Sequence, residues 1–276
     1  MTTGNLKKTI PHLFLFAYVF IILYPMFFLL NTSLKKNLQI DSDPWGLPQP
    51  FTLKNYTYAF SNSKIGIYFF NSFFISTVST LATIILAICI AYAITRMKYP
   101  SLSKYVYAIL LLSLLIPAPA LLIPLYRMVN WLHIYNTPFA LIIPYTTFGI
   151  PLTVFVIAAF LKSIPRELEE AGIIDGLSVY GLLGRIVLPL TLPTLVTVFI
   201  LNYLGNWNEY VLANLFLSND NLRTLPVAVV SFYNKYNTNY GALCASVMIS
   251  ITPVILIYSV LQKRIIEGVM AGSVKG

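Results

Sequence analysis

The densest group of chemically capable side chains lies in a short charged segment, residues 165–189. Glu169 and Glu170 stand side by side, as in an intramembrane protease pair, but Ile173-Ile174-Asp175 follow where such a protease would need arginine. The nine Asp and Glu residues include no His-Glu-x-x-His pair and no aspartate-rich magnesium motif. An isolated serine or tyrosine without a base does not make a nucleophile. The sequence therefore predicts no catalytic residue and no metal ligand.

The sequence also lacks a nucleotide-binding motif of the P-loop type. The Gly-x-x-x-x-Gly-Lys-Ser/Thr pattern that binds ATP phosphates does not occur. We therefore expect the chain to bind no cofactor and not to be an enzyme by itself.

Two short helices are predicted to position the charged segment. Pro165 suits a first helical position, and the glutamates within 167–170 crowd the first turn, where the helix dipole favours anions. Asp175-Gly176 predicts a turn that ends this helix. Ser178 is a candidate cap for a second helix, which is predicted to run to Leu188-Pro189. These features predict a helical hairpin, and an amphipathic loop on the membrane surface stays the alternative.

One face of the first predicted helix is a ridge of mostly small residues. Leu168, Ala171 and Gly172 recur at the three- and four-residue spacing that places side chains on one face. Such a ridge lets another backbone or a protein groove approach closely.

Composition predicts a polytopic membrane protein. Hydrophobic residues make up 58% of the chain and charged residues only 10%, with a mean hydropathy of +0.77. The net charge of +9 comes from eighteen Lys and Arg residues that stand singly or in pairs near the ends of apolar stretches. This placement fits membrane flanks and argues against a nucleic-acid surface. Cys89 and Cys244 lie inside apolar stretches, so no disulfide framework is expected.

Six charge-free stretches are long enough to cross a bilayer, which needs about 20 apolar residues per helix. They are Ile10–Leu30, Ile65–Thr95, Tyr105–Tyr126, Ile134–Leu161, Ile186–Asn208 and Tyr240–Gln262. Six crossings place both termini and the loop 163–190 on one side, which holds eleven of the eighteen Lys and Arg residues. The positive-inside rule puts that side in the cytoplasm. We therefore predict an all-α, six-span membrane protein that forms a single transmembrane domain over residues 1–276, with both termini cytoplasmic.

Polar side chains at membrane depth are the candidates for contact with a solute. Asn202, Asn206 and Glu209 follow one another along the fifth span, with Trp207 beside them. Carboxamides and aromatic faces suit a sugar, which offers hydroxyls to bond and an apolar face to stack. Aromatic residues at the membrane surface are the alternative explanation. A second polar stripe, residues 71–80 of the second span, favours hydrogen bonds between helices.

The spacing within the charged segment resembles the EAA loop of ABC-importer permease subunits. That pattern reads Glu-Ala-Ala, three residues, Gly, nine residues, Ile, one residue, Leu-Pro, and only Gly172 departs from it here. In that family the loop is a coupling helix seated in a cleft of a cytoplasmic ATPase. The resemblance implies that the loop 163–190 couples this chain to an ATPase. The residues implied in coupling are Glu170, Ala171, Gly172, Asp175, Gly176, Ile186, Leu188 and Pro189.

Further motifs are similar to the MalG-type permeases of carbohydrate ABC importers. They are Phe51–Tyr56, Trp207–Tyr210, Leu222–Pro226, Gly241-Ala242 and Glu267–Gly276. The resemblance implies a second permease subunit, two ATP-binding subunits that carry ATP and magnesium, an extracytoplasmic solute-binding protein and a sugar substrate. It also implies a bacterial or archaeal cell membrane and a cytoplasmic tail, 265–276, whose Gly272, Lys275 and Gly276 contact the ATPase.

Two alternatives stay open at this stage. A permease for another solute class would share the EAA pattern, and an ion-coupled secondary carrier would share the number of spans. From the resemblance we expect Glu170→Ala and Gly176→Val to uncouple transport while the protein still inserts into the membrane. Ile173→Ala, taken to lie on the opposite face of the helix, is expected to do less.

Overall fold

The computed structural model describes residues 3–62, 64–97, 99–232 and 239–273, and within these ranges it contains helices and no strand. The α-helices are α1 (Thr3–Ser33), α2 (Asn37–Ser42), α3 (Lys54–Asn62), α4 (Ile65–Arg96), α5 (Pro100–Leu114), α6 (Leu122–Trp131), α7 (Phe139–Ser163), α8 (Glu167–Ile174), α9 (Val179–Leu182), α10 (Leu188–Trp207), α11 (Val211–Phe216), α12 (Leu225–Ser231) and α13 (Tyr240–Ser273). A π-helical segment, Leu183–Val187, joins α9 to α10, and short 3₁₀ helices cover Ala118–Leu121 and Asp220–Leu222.

The prediction of an all-α polytopic membrane protein is confirmed. In the described part of the chain, five helical stretches are long and apolar enough to cross a membrane. They are Pro11–Ser33, Ile65–Arg96, Phe139–Ser163, Val179–Trp207 and Tyr240–Gln262. A sixth crossing is possible if the pair Pro100–Leu114 and Ala118–Trp131 counts as one span.

The third predicted span, Tyr105–Tyr126, is not one continuous helix. Its two halves are bent by 97° at a break after Leu114. Pro117 and Pro119 explain the break, because proline lacks the N–H that continues a helix and its ring clashes with the preceding turn. A 3₁₀ turn, Ala118–Leu121, then leads into α6.

The chain divides into two compact units, and the first comprises Met1–Gly66 and Val227–Pro253. Its connection between α1 and α3 is held by polar bonds to backbone carbonyls. The Asn55 amide donates to the carbonyl oxygens of Ser33 (2.8 Å) and Lys35 (2.7 Å). The fully buried Lys35 amine donates to the carbonyl oxygens of Asp43 and Pro44 at 3.1 and 2.9 Å. The chain between α1 and α3 is therefore an ordered cap rather than an open loop.

The second unit comprises Ile67–Pro226 and Val254–Gly276, and its core lies where α4, α7 and α10 pack together. Within the membrane, van der Waals packing and interhelical hydrogen bonds hold such helices together. The buried cluster contains Ala87, Ile88, Ala91, Tyr92, Val154, Ile157, Ala158, Leu161, Val187, Leu195 and Val198.

Helices α4 and α7 run parallel within this unit. Near their middle the Thr83 hydroxyl donates to the Thr146 carbonyl at 3.2 Å. Near their ends Arg96 donates to the Leu161 carbonyl at 2.7 Å. Residue numbers therefore rise in the same direction along both helices.

The polar stripe on α4 hydrogen-bonds to other elements, as predicted. The Ser72 hydroxyl accepts the backbone N–H of Leu225 at 2.8 Å. The Thr80 hydroxyl oxygen lies 3.2 Å from the Asn206 amide nitrogen, which donates to it. These bonds join α4 to α12 and α10.

The second helix of the predicted hairpin does not end at Leu188-Pro189. It continues through the π segment into α10, so a single helical stretch runs from Val179 to Trp207. Proline is tolerated in a membrane helix when irregular turns and neighbouring helices satisfy the freed backbone groups. The hairpin and the fifth span are therefore mechanically continuous.

Candidate functional site

The charged segment folds into the predicted hairpin, and its boundaries follow from local chemistry. Helix α8 begins at Glu167, two residues after Pro165, so the proline precedes the helix rather than opening it. The backbone N–H groups of Glu169 and Glu170 donate to the Arg166 carbonyl at 2.9 and 3.0 Å. The acidic first turn lies where the helix dipole favours negative charge.

The turn between the two helices is a Schellman motif. Gly176 has a φ of +79°, a conformation that glycine adopts at little cost. Its N–H donates to the Ile173 carbonyl at 3.0 Å, and the Leu177 N–H donates to the Gly172 carbonyl at 2.9 Å. Ser178 then caps α9, because its hydroxyl accepts the N–H of Gly181 at 3.3 Å. Both the turn and the cap agree with the sequence prediction.

Gly172 and Ile186, two positions of the EAA pattern, pack against each other. A Cβ added at Gly172 would lie 2.6 Å from Ile186 Cδ1 and 2.8 Å from Leu182 Cδ2. Gly172 is buried, so its small size serves the packing of the hairpin itself. On the small-residue ridge, Gly172 therefore packs against the second half of the hairpin, whereas Ala171 is exposed.

The outer surface of the hairpin combines acidic and apolar side chains. Glu170 and Asp175 are exposed, and so are Ile174 (85%) and Tyr180 (87%). Ile173 is also exposed, and it lies one turn after Glu170 on the same side of α8. The expectation that Ile173 occupies the opposite face is therefore wrong. Large exposed apolar side chains beside exposed carboxylates are typical of a surface that contacts another protein or the membrane.

The residue that anchors the hairpin is Glu169, which the sequence analysis did not select. Its Oε1 atom lies 2.8 Å from Arg96 Nε in an ion pair whose side chains are only 7% and 10% exposed. Its Oε2 atom accepts the hydroxyl of Tyr92 at 3.1 Å. Arg96 Nη2 also donates to the carbonyl oxygens of Leu161 (2.7 Å) and Ile164 (2.8 Å). One carboxylate therefore ties α8 to the ends of α4 and α7.

A weak signal for this ion pair exists in the sequence. Tyr92 and Arg96 are four residues apart, so they lie on one face of α4, and Arg96 is the last residue of that helix. A buried charge needs a partner, and glutamates follow in the loop after α7. Nothing in the sequence distinguishes Glu169 from its neighbours, because the choice depends on how α8 packs against α4.

The structure contains a cavity of about 270 Å³. Its wall includes two of the four residues that were predicted to contact a solute. Asn206 and Glu209 share its wall with Tyr145, Phe148 and residues of the broken third span, including Pro119. The Asn206 amide nitrogen donates to the Thr80 hydroxyl at 3.2 Å. An aromatic ring beside a carboxamide is a combination that suits a sugar.

The Glu209 carboxylate is already committed within the chain. Its oxygens accept the hydroxyl of Tyr145 at 2.7 Å and the backbone N–H groups of Leu212 and Ala213 at 2.8 and 3.1 Å. These bonds cap the first turn of α11, where N–H groups otherwise lack partners. Glu209 therefore shapes the cavity through α11.

Asn202 and Trp207, the other two residues, do not line this cavity. The Asn202 amide donates to the Thr153 hydroxyl at 2.9 Å and to the Val198 carbonyl at 2.8 Å. Trp207 is 1% exposed, and its ring centroid lies 5.8 Å from that of Tyr203. In this conformation both side chains pack the helices together.

Part of the predicted tail contact lies outside the described residues. Lys275 and Gly276 fall there, whereas Gly272 belongs to the last turn of α13. The tail 265–276 is therefore helical as far as Ser273.

Comparisons with known proteins identify the family. The model of the family described as "Binding-protein-dependent transport system inner membrane component" matches residues 83–269. A probable ABC transporter permease protein of Bacillus subtilis, YurM, is 35% identical over 270 residues, which cover 98% of this chain and 89% of the relative. The sulfoquinovosyl glycerol transport system permease protein SmoH of Agrobacterium fabrum is 36% identical over 261 residues, 92% of this chain and 89% of the relative.

Further matches agree in fold and family. The melibiose/raffinose/stachyose import permease protein MelC of Bacillus subtilis is 34% identical over 253 residues, 91% of this chain and 91% of the relative. The crystal structure of a bacterial ABC transporter involved in the import of alginate matches with a TM-score of 0.84 at 20% identity, over 95% of this chain and 98% of that chain. The chain therefore belongs to the binding-protein-dependent transport system inner membrane components, as a multi-pass membrane permease of the MalG-type sugar ABC transporter family.

Proposed function

We propose that this chain forms half of the pathway of an ATP-driven sugar or oligosaccharide importer and that its hairpin couples the pathway to a separate ATPase. The ATPase would bind ATP and magnesium, and this chain would bind neither. The proposed assembly contains a second permease subunit, two ATPase subunits and an extracytoplasmic solute-binding protein. In this assembly, the tail 265–276 would also contact the ATPase.

The hairpin carries this proposal, because its two faces have separate tasks. The inner face is fixed to the spans by the ion pair between Glu169 and Arg96. The outer face exposes Glu170, Ile174 and Tyr180. A partner that binds the outer face can therefore displace a rigid hairpin rather than a loose loop.

Displacement of the hairpin would reach the cavity through two connections. Helix α9 continues without a break to α10, which carries Asn206 at the cavity wall. The Glu169 ion pair leads through Arg96 into α4, whose Thr80 bonds Asn206. Coupling requires contacts that differ between the outward and inward states, and these two connections are where we expect them to differ.

A sugar substrate is supported by the relatives and by the composition of the cavity. Relatives are named as permeases for sulfoquinovosyl glycerol and for melibiose, raffinose and stachyose. The cavity lining is mostly apolar, and the rings of Tyr145 and Phe148 offer faces on which the apolar face of a sugar can stack. We therefore propose that the cavity belongs to the sugar pathway.

The coupling proposal is tested by replacing Glu170. We expect Glu170→Ala to leave the chain in the membrane but to reduce both the ATPase retained on purification and the uptake of sugar. Loss of one partner of a desolvated charge pair costs about 3–5 kcal/mol, whereas a pair at the rim contributes about 1 kcal/mol or less. The measurement is co-purification of the ATPase together with transport in reconstituted vesicles.

Glu167→Ala is the matched control, since Glu167 is an exposed glutamate in the same helical turn but lies outside the EAA pattern. Normal ATPase retention and uptake in Glu170→Ala would contradict the coupling role. Uptake of an amino acid or a metal, and of no carbohydrate, by the complete transporter would contradict the sugar assignment.

A further inference from the structure

A second cavity, of about 400 Å³, lies near one end of α4, α5 and α7. Its wall contains the hydroxyls of Thr95 and Ser103, the ring of Tyr107 and the side chains of Lys104 and Lys162. Its remaining lining residues, Ile94 and Ala158, are apolar. None of these residues takes part in the hairpin or in the cavity beside Asn206.

The charge of this second cavity is positive and uncompensated. No carboxylate lines it, and in the described part of the chain neither Lys104 nor Lys162 forms an ion pair. The adjacent Arg96 contributes no free charge, because Glu169 pairs with it. The Lys162 amine lies 5.9 Å from the Tyr107 ring centroid, a cation–π distance that holds it beside the cavity.

The geometry favours an anion with several acceptor oxygens. Ser103 lies in the first turn of α5 and Lys104 begins the second, and the dipole of this 15-residue helix adds positive potential at that end. The amines of Lys104 and Lys162 and the Ser103 hydroxyl supply donors that phosphate oxygens accept, whereas the Thr95 hydroxyl already donates to the Ala91 carbonyl at 2.7 Å. The apolar lining residues Ile94 and Ala158 belong to α4 and α7, which are long and apolar enough to cross a membrane.

We propose that this cavity binds a phosphate-bearing anion, namely the headgroup of an anionic phospholipid. The cavity lies at the ends of membrane helices, where lysine side chains extend to the headgroup level. Basic pockets between membrane helices recognise such headgroups, and each lysine near the surface adds to the attraction. Free phosphate has the same oxygens but no acyl chains to lie along the apolar helix faces.

The test measures lipid retention by the full-length chain with its accompanying subunits. The complex is placed in nanodiscs of phosphatidylglycerol mixed with phosphatidylcholine, and bound lipids are counted by native mass spectrometry. We expect preferential retention of phosphatidylglycerol, weakened roughly fivefold by Lys104→Gln or Lys162→Gln and about 25-fold by the double variant. Lys54→Gln, an exposed lysine on α3 outside this cavity, is the matched control and should have no effect.

Competition distinguishes the two sources of phosphate. Phosphatidylglycerol that stays bound in a large excess of inorganic phosphate supports the lipid assignment, and displacement by inorganic phosphate overturns it in favour of a soluble anion. Equal retention by the wild type and the double variant, with unchanged melting temperatures, overturns the site altogether. A double variant that retains no lipid because it unfolds is recognised by its melting temperature, and Lys104→Arg with Lys162→Arg should then restore retention.

Discussion

At the scale of residues, neighbouring glutamates have different tasks because a helix turns by about 100° per residue. Glu170 is exposed on the outer face, where we propose that the ATPase binds. Glu169 faces inward to Arg96 and Tyr92. One turn of α8 thus combines an exposed carboxylate with a buried one that holds the helix in place.

The ion pair between Glu169 and Arg96 is expected to be essential for the position of the hairpin. Glu169→Ala leaves a buried arginine without its partner, which costs about 3–5 kcal/mol. The expected result is a lower melting temperature of the purified chain and loss of ATPase binding. Glu167→Ala removes an exposed carboxylate from the same helix and should change stability by no more than about 0.5 kcal/mol.

A double variant distinguishes the energy of the ion pair itself from the cost of leaving one charge buried without a partner. Arg96→Met combined with Glu169→Leu removes both charges, so it should be more stable than either single variant. Additive losses in the double variant would contradict a direct interaction between the two side chains.

At the scale of elements, the hairpin is a rigid extension of the fifth span. Its turn depends on the positive φ of Gly176, and its interhelical contact depends on the absence of a side chain at Gly172. Both glycines act within the hairpin, so both determine the direction of its exposed face.

Gly176→Val should misdirect the hairpin, because a β-branched residue at positive φ is strained by about 1–3 kcal/mol. Space is not the cause, since a Cβ at Gly176 would meet nothing within 4 Å. Asparagine tolerates this conformation, so Gly176→Asn is the matched control. We expect reduced ATPase retention and sugar uptake for valine and near-normal values for asparagine. Equal loss in both variants would show that the turn conformation is not the determinant.

Gly172→Leu should separate the two helices of the hairpin. Even a Cβ at this position comes within 2.8 Å of the tips of Ile186 and Leu182, and overpacking of this kind typically costs about 1–3 kcal/mol. Gly184→Ala serves as the control, because its Cβ meets nothing within 4 Å. Limited proteolysis of the hairpin should accelerate in Gly172→Leu alone. An unchanged cleavage rate would contradict the packing described here.

At the scale of the whole molecule, the parallel packing of α4 and α7 bears on the number of crossings. Two parallel spans must be joined by a chain that returns across the membrane. That chain contains only the bent pair of α5 and α6, so we infer that the pair makes one crossing. With six crossings, the prediction from the distribution of Lys and Arg, that both termini and the loop 163–190 are cytoplasmic, would follow.

Labelling of single cysteines tests this topology. After replacement of the native Cys89 and Cys244, we expect a cysteine at Asp175 to react only from the cytoplasm and one at Pro48 only from outside. A cysteine at Ser101 should behave like the one at Asp175, and a cysteine at His133 like the one at Pro48. If the cysteines that replace Ser101 and His133 reacted from the same side, α5 and α6 would form a re-entrant loop.

The sequence by itself determined the class of the molecule and the outline of its hairpin. Apolar length predicts membrane helices, because the bilayer imposes one length scale on every span. The positive φ of Gly176 and the cap at Ser178 were also predictable, since turns and caps depend on adjacent residues. The EAA pattern identified Gly172 and Ile186, although not the fact that they touch.

Only the tertiary structure decided which polar groups meet. Glu169 pairs with Arg96, 73 positions away, and Glu209 bonds Tyr145 instead of extending freely into the cavity. The helix likewise continues through Pro189, where the sequence predicted an end, because the π-helical segment Leu183–Val187 joins it to α10. Local sequence patterns determine which interactions each side chain can form. The packing of α4, α7 and α10 determines which partner it forms them with.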